Sequence, residues 1–370
     1  MIAAVLFGVS VSATGIRGDV NGDGSVNNKD VVALFRFVSE VEITVTEENC
    51  DVNGDSAINN KDVTVLFRLV SGVSEALDLR LLQFNVQTEN GTSTPFGTRA
   101  GMYRKFVDEI KPDVVGMQEV TVNWRRYLDS TVFGDGYASI GEPRTRGGEA
   151  NPIYYRKDKF EFIDGGTFWL SDTPDVAGSY LEGVNYPRIC TWVILKDRAS
   201  GIRFIHLNTH LDHNGNNDST TGNNIRKAQM SVIIRFAQQY VGMPMFLSGD
   251  LNNRRTTSKN KTYALIKHIT GESKYKYADG EELMLCLADS RLDAEKTMPD
   301  DRIATMTKYF DESSTSYEPA REPIDYIFYD PITTKALTYE TFLIKENGSY
   351  ISDHLPVFAT FRIGKKAETE

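Results

Sequence analysis

LRLLQFNV (residues 79–86) and DVVGMQEV (113–120) decide the reading of the larger part of this chain. Each is an apolar run of strand length that delivers a polar side chain at its exit, Asn85 from the first and Glu119 from the second. Between them, a Gly/Ser/Thr/Pro loop at 91–98 leads into Arg99–Ile110, where Tyr103, Phe106, Val107 and Ile110 recur on one helical face. Lys111-Pro112-Asp113 stops that helix before the second strand begins.

The same pattern continues outward. NPIYYR (151–156), RICTWVILK (188–196), GIRFIHLNTH (201–210), PMFLSGDL (244–251), PIDYIFYD (323–330) and HLPVFATFRI (354–363) read as further strands. Many strands with few helices favour a layered α/β architecture of two packed sheets over a doubly wound nucleotide fold, and neither GxGxxG nor a Walker sequence occurs. His210 ends one apolar run, Asp250 and Asn252 follow MFLSG, Asp325 follows EPI, and Asp353-His354 precedes LPVF. An isolated Asn at such a place more often closes a turn, and an isolated Glu solvates a strand end. The set is more informative than its members, because polar groups at several strand exits are placed to converge above a sheet. His206 alternates in register with His210, and one of the two is open to reading as a hydrogen-bonded sheet histidine; His213 reads as a third member or a loop residue, and His268 in YALIKHI as structural.

Such groups suit phosphoester hydrolysis, in which anionic oxygens repel the nucleophile. Mg²⁺ at Glu119 would neutralise those oxygens, amides of Asn85 and Asn252 would hold the phosphoryl group, and Asp250 would polarise or deprotonate water. Asp325 would orient His354, acting either as an imidazolium or as a neutral base.

The N-terminal part has a different character. Residues 1–78 carry 12 Asp+Glu against 5 Lys+Arg, which leaves 39 against 36 in the remainder. Without a basic stripe, salt-sensitive binding along a nucleic acid backbone is not the default, although a metal would invert the local potential and keeps nuclease chemistry open. GDVNGDGSVNNKDVVALFRFVSE aligns with CDVNGDSAINNKDVTVLFRLVSG at an offset of 32 residues. Each copy presents oxygens at alternate positions: Asp19, Asn21, Asp23, Asn27 and Asp30, and then Asp51, Asn53, Asp55, Asn59 and Asp62. The seventh positions, Ser25 and Ala57, would offer backbone carbonyls, so each loop can surround one Ca²⁺. Gly24 eases the turn in the first loop, whereas Ser56 at the same place should strain the second. Behind the loops, Val31, Leu34, Phe35 and Val38, and Val63, Leu66, Phe67 and Val70, fall on helical faces able to pack together.

Residues 18–72 resemble a type I dockerin, the duplicated calcium module that attaches secreted bacterial enzymes to cohesins on a scaffold. The resemblance implies two Ca²⁺, a type I cohesin partner, and recognition through Asn28-Lys29 and Asn60-Lys61. The apolar start, MIAAVLFGVSVSA (1–13), is expected to be a signal peptide or its remnant, giving a secreted, extracellular or scaffold-associated protein with no stable membrane insertion. Cys50, Cys190 and Cys286 show neither metal-ligand spacing nor a disulfide framework.

Beyond a short linker at 73–78, residues 79–364 resemble the endonuclease/exonuclease/phosphatase superfamily through QFN, GMQEV, NTHLDH, SGDLN, IDYIFYD and SDHLPV, with a tail at 365–370. That resemblance implies a four-layer α/β sandwich of two mixed sheets flanked by helices, and in-line attack by water with Mg²⁺ or Mn²⁺. It makes Asn85, Glu119 and Asp353 metal-site groups, His210 a phosphate-contacting or acid-assisting group, Asp250 and Asn252 handlers of water and phosphate, and Asp325 the orienter of His354. Arg226 and Gln229 match positions that contact phosphate, although NGNNDSTTGNN lengthens the route to them. GGEANPIYYRKDKFEFIDGGTFWLSDTPD and YPRICTW are similar to a secreted bacterial branch near the deadenylase-like phosphodiesterases.

The implied function is a metal-dependent phosphodiesterase or phosphatase; an endo- or exonuclease and a non-catalytic adhesion module are the alternatives. A nuclease needs a basic groove, for which Arg144, Arg146, Arg156, Lys157 and Lys159 form one candidate cluster and Arg254, Arg255, Lys259 and Lys261 another. Trp169 is open to either stacking or packing, while Trp192 reads as core.

Overall fold

The computed structural model describes residues 16–70, 76–90, 94–213, 220–256, 264–299, 303–313 and 315–364. The expected signal peptide, the C-terminal tail, the first half of the linker (73–75), and Lys259 and Lys261 lie outside the described residues. The chain divides into two compact units, Met1–Ser71 and Gly72–Glu370. Among the described residues no helix is long and apolar enough to cross a membrane.

In the first unit two helices, α1 (Asn28–Val38) and α2 (Asn60–Val70), each follow a polar loop. Asp30 accepts from the backbone N–H groups of Asn21 and Asn27, while Asp62 accepts from those of Asn53 and Asn59. Asp19 gathers the Asp23 and Gly24 N–H groups, and Asp51 those of Gly54 and Ser56. These bonds wind each loop around its own carboxylates. Ser56 adopts φ +69°, the left-handed conformation expected to strain it, where Gly24 holds +87° without a Cβ. The helix faces differ from expectation at two positions. Leu34 and Leu66 are buried, but Phe35 and Phe67 are 55% and 56% exposed, and Ala33 and Val65 take inward places instead.

The second unit holds two six-stranded mixed sheets. One contains β1 (Leu77–Asn85), β2 (Val114–Gln118), β3 (Tyr137–Ile140) and β4 (Ile153–Arg156). The other contains β5 (Phe160–Trp169), β6 (Ile189–Asp197), β7 (Arg203–His210) and β8 (Met245–Asp250), then β9 (Ala288–Asp289) and β10 (Asp325–Tyr329). β11 (Thr334–Thr341) and β12 (Val357–Ile363) return to the first sheet. The strand orders are β11-β12-β1-β2-β4-β3 and β9-β10-β8-β7-β6-β5.

Each sheet has one central parallel pair, β1–β2 and β7–β8, and every other pairing within the two sheets is antiparallel. A helix crosses between the strands of each pair, α3 (Phe96–Ile110) in the first and α5 (Thr220–Ala237) in the second, as a parallel connection requires. α3 covers the outer face of its sheet with Met102, Tyr103, Phe106 and Val107, joined by Trp124 of α4 (Val122–Tyr127). Met230, Ile233 and Ile234 of α5, with Leu265 and Ile269 of α6 (Ala264–Thr270), cover the other.

Between the sheets Leu77, Leu79 and Leu81 of β1 meet Phe204, Phe246 and Ile327. Alternation along β1 therefore sends Leu82 and Phe84 to the helices and the odd-numbered residues to the middle. Further along the same inward rows the residues change from apolar to polar, at Gln83 and Asn85 on β1, His206, Asn208 and His210 on β7, and Ser248 and Asp250 on β8. Gly116 permits the close approach there, since a Cβ on it would lie 2.7 Å from Ser248 Oγ.

Candidate active site

Because parallel strands run the same way, β1 and β2 exit together, as do β7 and β8. Register places Asn85 opposite Gln118, His210 opposite Asp250, and Asp250 opposite Asp325. Gly249, at φ +149°, is what lets β7 and β8 pair here, because a Cβ would fall 2.0 Å from the Thr209 carbonyl oxygen.

Asp250 lies at the focus. Its Oδ2 accepts from Asn85 Nδ2 at 3.1 Å and lies 3.5 Å from His210 Nε2 and 3.6 Å from His354 Nε2. Asn85 Nδ2 also donates to Glu119 Oε1 at 3.1 Å, so one amide joins the two carboxylates. Glu119 Oε2 accepts from Thr88 N, and Asp250 Oδ1 from Asn252 N. Glu119 (φ +58°) and Asn252 (φ +47°) both hold left-handed backbone, a cost of roughly 1–3 kcal/mol each that sites of this kind often carry.

His354 Nδ1 is 2.9 Å from Asp325 Oδ2. Burial alone would draw the imidazole pKa down, but Asp325, Asp250 and the hydrogen bond together hold it well above the ordinary value. Burial and the neighbouring Asp325 push Asp250 up to about 7, against the pull of His354. Burial first, then Arg188, His354, Arg144 and His213, keep His210 well below its usual value. Its Nε2 lies 3.1 Å from Asn252 Nδ2 as well as near Asp250, so the ring bridges the two side chains. Asp250, Asp325 and His354 each offer a ligand atom, all within 4.8 Å of one another, a cluster able to take a divalent cation.

Asp353 stands at the rim beside this group, with its Oδ1 3.4 Å from Ser352 Oγ. The loop carrying Asp353 and His354 is pinned to the end of β1: Ser352 Oγ donates to Asn85 O at 2.7 Å and accepts from His354 N. Arg99 reinforces this junction. Fully buried, it donates to the carbonyls of Ile351, Val86, Gln87 and Thr88.

Two expected phosphate contacts engage the backbone just beyond His210. Arg226 and Gln229 are buried and clasp one backbone segment, Arg226 Nη1 donating to Asp212 O and Gln229 Oε1 accepting from Asp212 N. They brace the turn after β7, because α5 packs directly beneath it. Trp169 is buried with its indole N–H on Arg144 O, and Trp192 packs against Phe236 and Tyr240, so both are core. His268 bonds to Ser273 O.

A buried chain of amides under the site was not read from the sequence. Asn208 Nδ2 donates to the carbonyls of Met117, Asn151 and Pro152, which fixes its orientation and turns Oδ1 toward Gln118 Nε2 at 2.7 Å. Gln118 Oε1 then faces Gln83 Nε2 at 2.7 Å, and the same Gln83 nitrogen donates to Asp325 Oδ1 at 3.0 Å. His206 extends the chain through Ser248 Oγ at 2.7 Å. The available signal was the period of two: Gln83, Gln118, Asn208 and Ser248 each precede a site residue by one or two positions on an inward row.

Residues 82–354 match the model of the Endonuclease/Exonuclease/phosphatase family, about three-quarters of the chain. The chain belongs to that family. Residues 17–71 match the Dockerin type I domain. A family member from Bacteroides vulgatus superposes with TM-score 0.62 at 27% identity, covering 78% of this chain and 99% of its own. A mannosyl-6-phosphatase from Bacteroides thetaiotaomicron gives 0.58 at 25% identity, covering 76% and 99%. The human Nocturnin catalytic domain, at 17% identity and TM-score 0.52 over 78% of this chain and 96% of its own, shows the fold alone. No curated protein matches the chain.

Proposed function

We propose that this family member is a divalent-metal-dependent phosphoester hydrolase working by in-line attack of water on phosphorus. The observation that carries this reading is Asp250 at the meeting point of Asn85, His210 and His354, with Asp325 behind His354. Asp250 takes the proton of the attacking water, helped by a pKa raised toward neutrality. The imidazolium of His354, favoured by its two carboxylate neighbours, faces the charge that develops on the phosphoryl oxygens. Both Asp325 oxygens are already engaged, by Gln83 and His354. Asp325 is thereby the orienter of His354, and from the family resemblance we assign the catalytic cation to the Glu119 and Asp353 carboxylates with Asn85 beside them, hard carboxylate oxygens that suit Mg²⁺ or Mn²⁺. Bound there, the cation supplies charge neutralisation to the phosphoryl group.

Residues 17–71 are read as the attachment part. Their loops hold two Ca²⁺, the first through Asp19, Asn21, Asp23, the Ser25 carbonyl, Asn27 and Asp30, and the second through Asp51, Asn53, Asp55, the Ala57 carbonyl, Asn59 and Asp62. The exposed Asn28, Lys29, Asn60 and Lys61 meet a cohesin outside the cell. A pull-down on type I cohesin in calcium and in chelator checks this; no capture in calcium sinks it.

The hydrolase reading is tested on a panel of phosphomonoesters, nucleic acids and phospholipid head-group esters with and without chelator. Asp250→Asn should lose about 10³-fold or more in kcat while retaining Mn²⁺ binding, and Glu119→Gln should weaken that binding. Chelator-insensitive turnover, or full activity in the Asp250 variant, would reject the assignment. A folded chain with no Mg²⁺ or Mn²⁺ affinity would restore the adhesion alternative.

A further inference from the structure

Two arginines meet beside His210 at one edge of the site. Arg188 stands immediately before β6 and is only 4% exposed. Its Nη2 lies 2.8 Å from His213 Nδ1, its Nε has no hydrogen-bond partner among the described residues, and Asp212 Oδ2 is 3.8 Å from that Nε, beyond hydrogen-bond reach. Arg144 is held by Glu149 at 3.1 Å and lies over the ring of Tyr186. Burial first, and then Arg144, draw the Arg188 pKa down, the mark of a desolvated cation close to a second one. A buried guanidinium with a spare N–H and a like charge nearby is an arrangement that an anion would complete.

The recess between Arg144, Glu149, Asn151, Arg188 and His210 has a volume of about 10 Å³. That is room for one oxygen-sized centre and not for a base, a sugar ring or an ester carbon chain. Three of the basic residues that would extend a cationic groove are committed elsewhere. Arg156 pairs with Asp158 and Asp113, Lys159 with Asp113, and Arg255 with Asp289 at 3.5 Å. A strand of nucleic acid needs cations at successive phosphates, whereas here the charge is gathered at one oxygen-sized point.

We propose that the Arg144–Arg188 recess seats a terminal non-bridging oxygen of the substrate, so that the enzyme selects phosphomonoester dianions over diesters. This rests on the hydrolase reading above. In a diester the corresponding oxygen carries a carbon substituent and no charge; in a monoester it is bare and anionic. Water adds to phosphorus as Asp250 takes its proton, the ester P–O bond breaks, the leaving oxygen takes a proton from solvent while Asp250 returns its own to solvent, and inorganic phosphate remains seated between the arginines.

The test compares 4-nitrophenyl phosphate with methyl 4-nitrophenyl phosphate, which share a leaving group and differ in that one oxygen, on the full chain with Mn²⁺. The wild-type kcat/KM should favour the monoester by about 100-fold or more. Arg188→Met should lower it by roughly 100-fold for the monoester and by less than about threefold for the diester, as expected from removing a charge-assisted contact made by only one of them. Arg144→Gln, at a partly exposed position, should show the same selective loss in smaller measure and covers the case in which Arg188→Met does not fold. Equal losses on both esters, a diester preference in the wild type, or faster cleavage of a DNA oligonucleotide would overturn the proposal. Should the wild type cleave neither ester, calorimetric binding of inorganic phosphate decides: loss in the Arg188 variant supports the seat and unchanged binding removes it. Glu119→Gln, expected to be inactive on both esters, separates failure of this proposal from failure of the hydrolase reading.

Discussion

Replacing Gln83 with methionine nearly preserves side-chain volume and deletes one amide from the layer between the sheets. Its Nε2 is the only donor to Asp325 Oδ1 among the described residues, at 3.0 Å, and it also serves Gln118 Oε1 at 2.7 Å, with all three side chains buried. A hydrogen bond to a charged group is worth about 1.5–3 kcal/mol, and leaving the Gln118 oxygen unpaired costs about 1–3 kcal/mol more. The variant should thus lose roughly 3–5 kcal/mol, a fall in unfolding temperature of about 6–10 °C at roughly 2 °C per kcal/mol. Catalysis should suffer separately. Asp325 orients His354, and a carboxylate held at only one of its two oxygens no longer fixes the ring. If about 1.4–2.8 kcal/mol of that positioning is lost, kcat falls about 10- to 100-fold, with KM within about threefold. Gln83→Glu, which sets a second carboxylate against Asp325, should be worse on both counts. Circular dichroism melts and steady-state kinetics on the ester that the wild type turns over provide the measurements. A Gln83→Met chain with kcat within about twofold of wild type and an unchanged melt would refute the claim that this amide positions the dyad.

Two further predictions concern protons and calcium. Burial pushes His206 down to about 3, below the unfolded value near 6.5. The folded state therefore binds fewer protons than the unfolded one, so the stabilisation is present above about pH 6.5 and is lost as pH falls toward 3, at up to about 1.4 kcal/mol per pH unit for each such group. His206→Gln should flatten the dependence of denaturant stability on pH between about 4 and 6, leaving the share due to His210; an unchanged slope would exclude His206 as a contributor. Ser56 holds φ +69° at a cost of about 1–2 kcal/mol, part of which glycine recovers. Ser56→Gly should tighten the second calcium loop about fivefold in a calorimetric titration, and equal affinity would show that the loop carries no such strain.

The sequence alone established the strand-helix-strand order, the two sheets and most of the strand-end residues. Apolar runs of strand length have a period that survives without context, and a polar residue at the exit of each run marks where the chain leaves the core. It also showed the paired loops, because alternating oxygens at fixed offsets are a local pattern. Only the tertiary structure decided what depends on which surfaces meet. Phe35 and Phe67 sit on faces that helical periodicity could not assign as inner or outer, since Ala33 and Val65 compete for the same turn. Arg226 and Gln229 carry the chemistry of phosphate contacts, and only the fold shows that each also bonds the backbone of Asp212. Gln83, Gln118, Asn208 and Ser248 interrupt apolar rows one residue at a time and become one network only when two sheets bring them within hydrogen-bond reach. Arg144, between β3 and β4 of one sheet, and Arg188, before β6 of the other, stand 44 positions apart by their numbering and line a common recess only in the folded chain. Hydrogen bonds and buried charge are pairwise and long-range in sequence, so the chemistry of the strand ends was legible and their arrangement was a product of the fold.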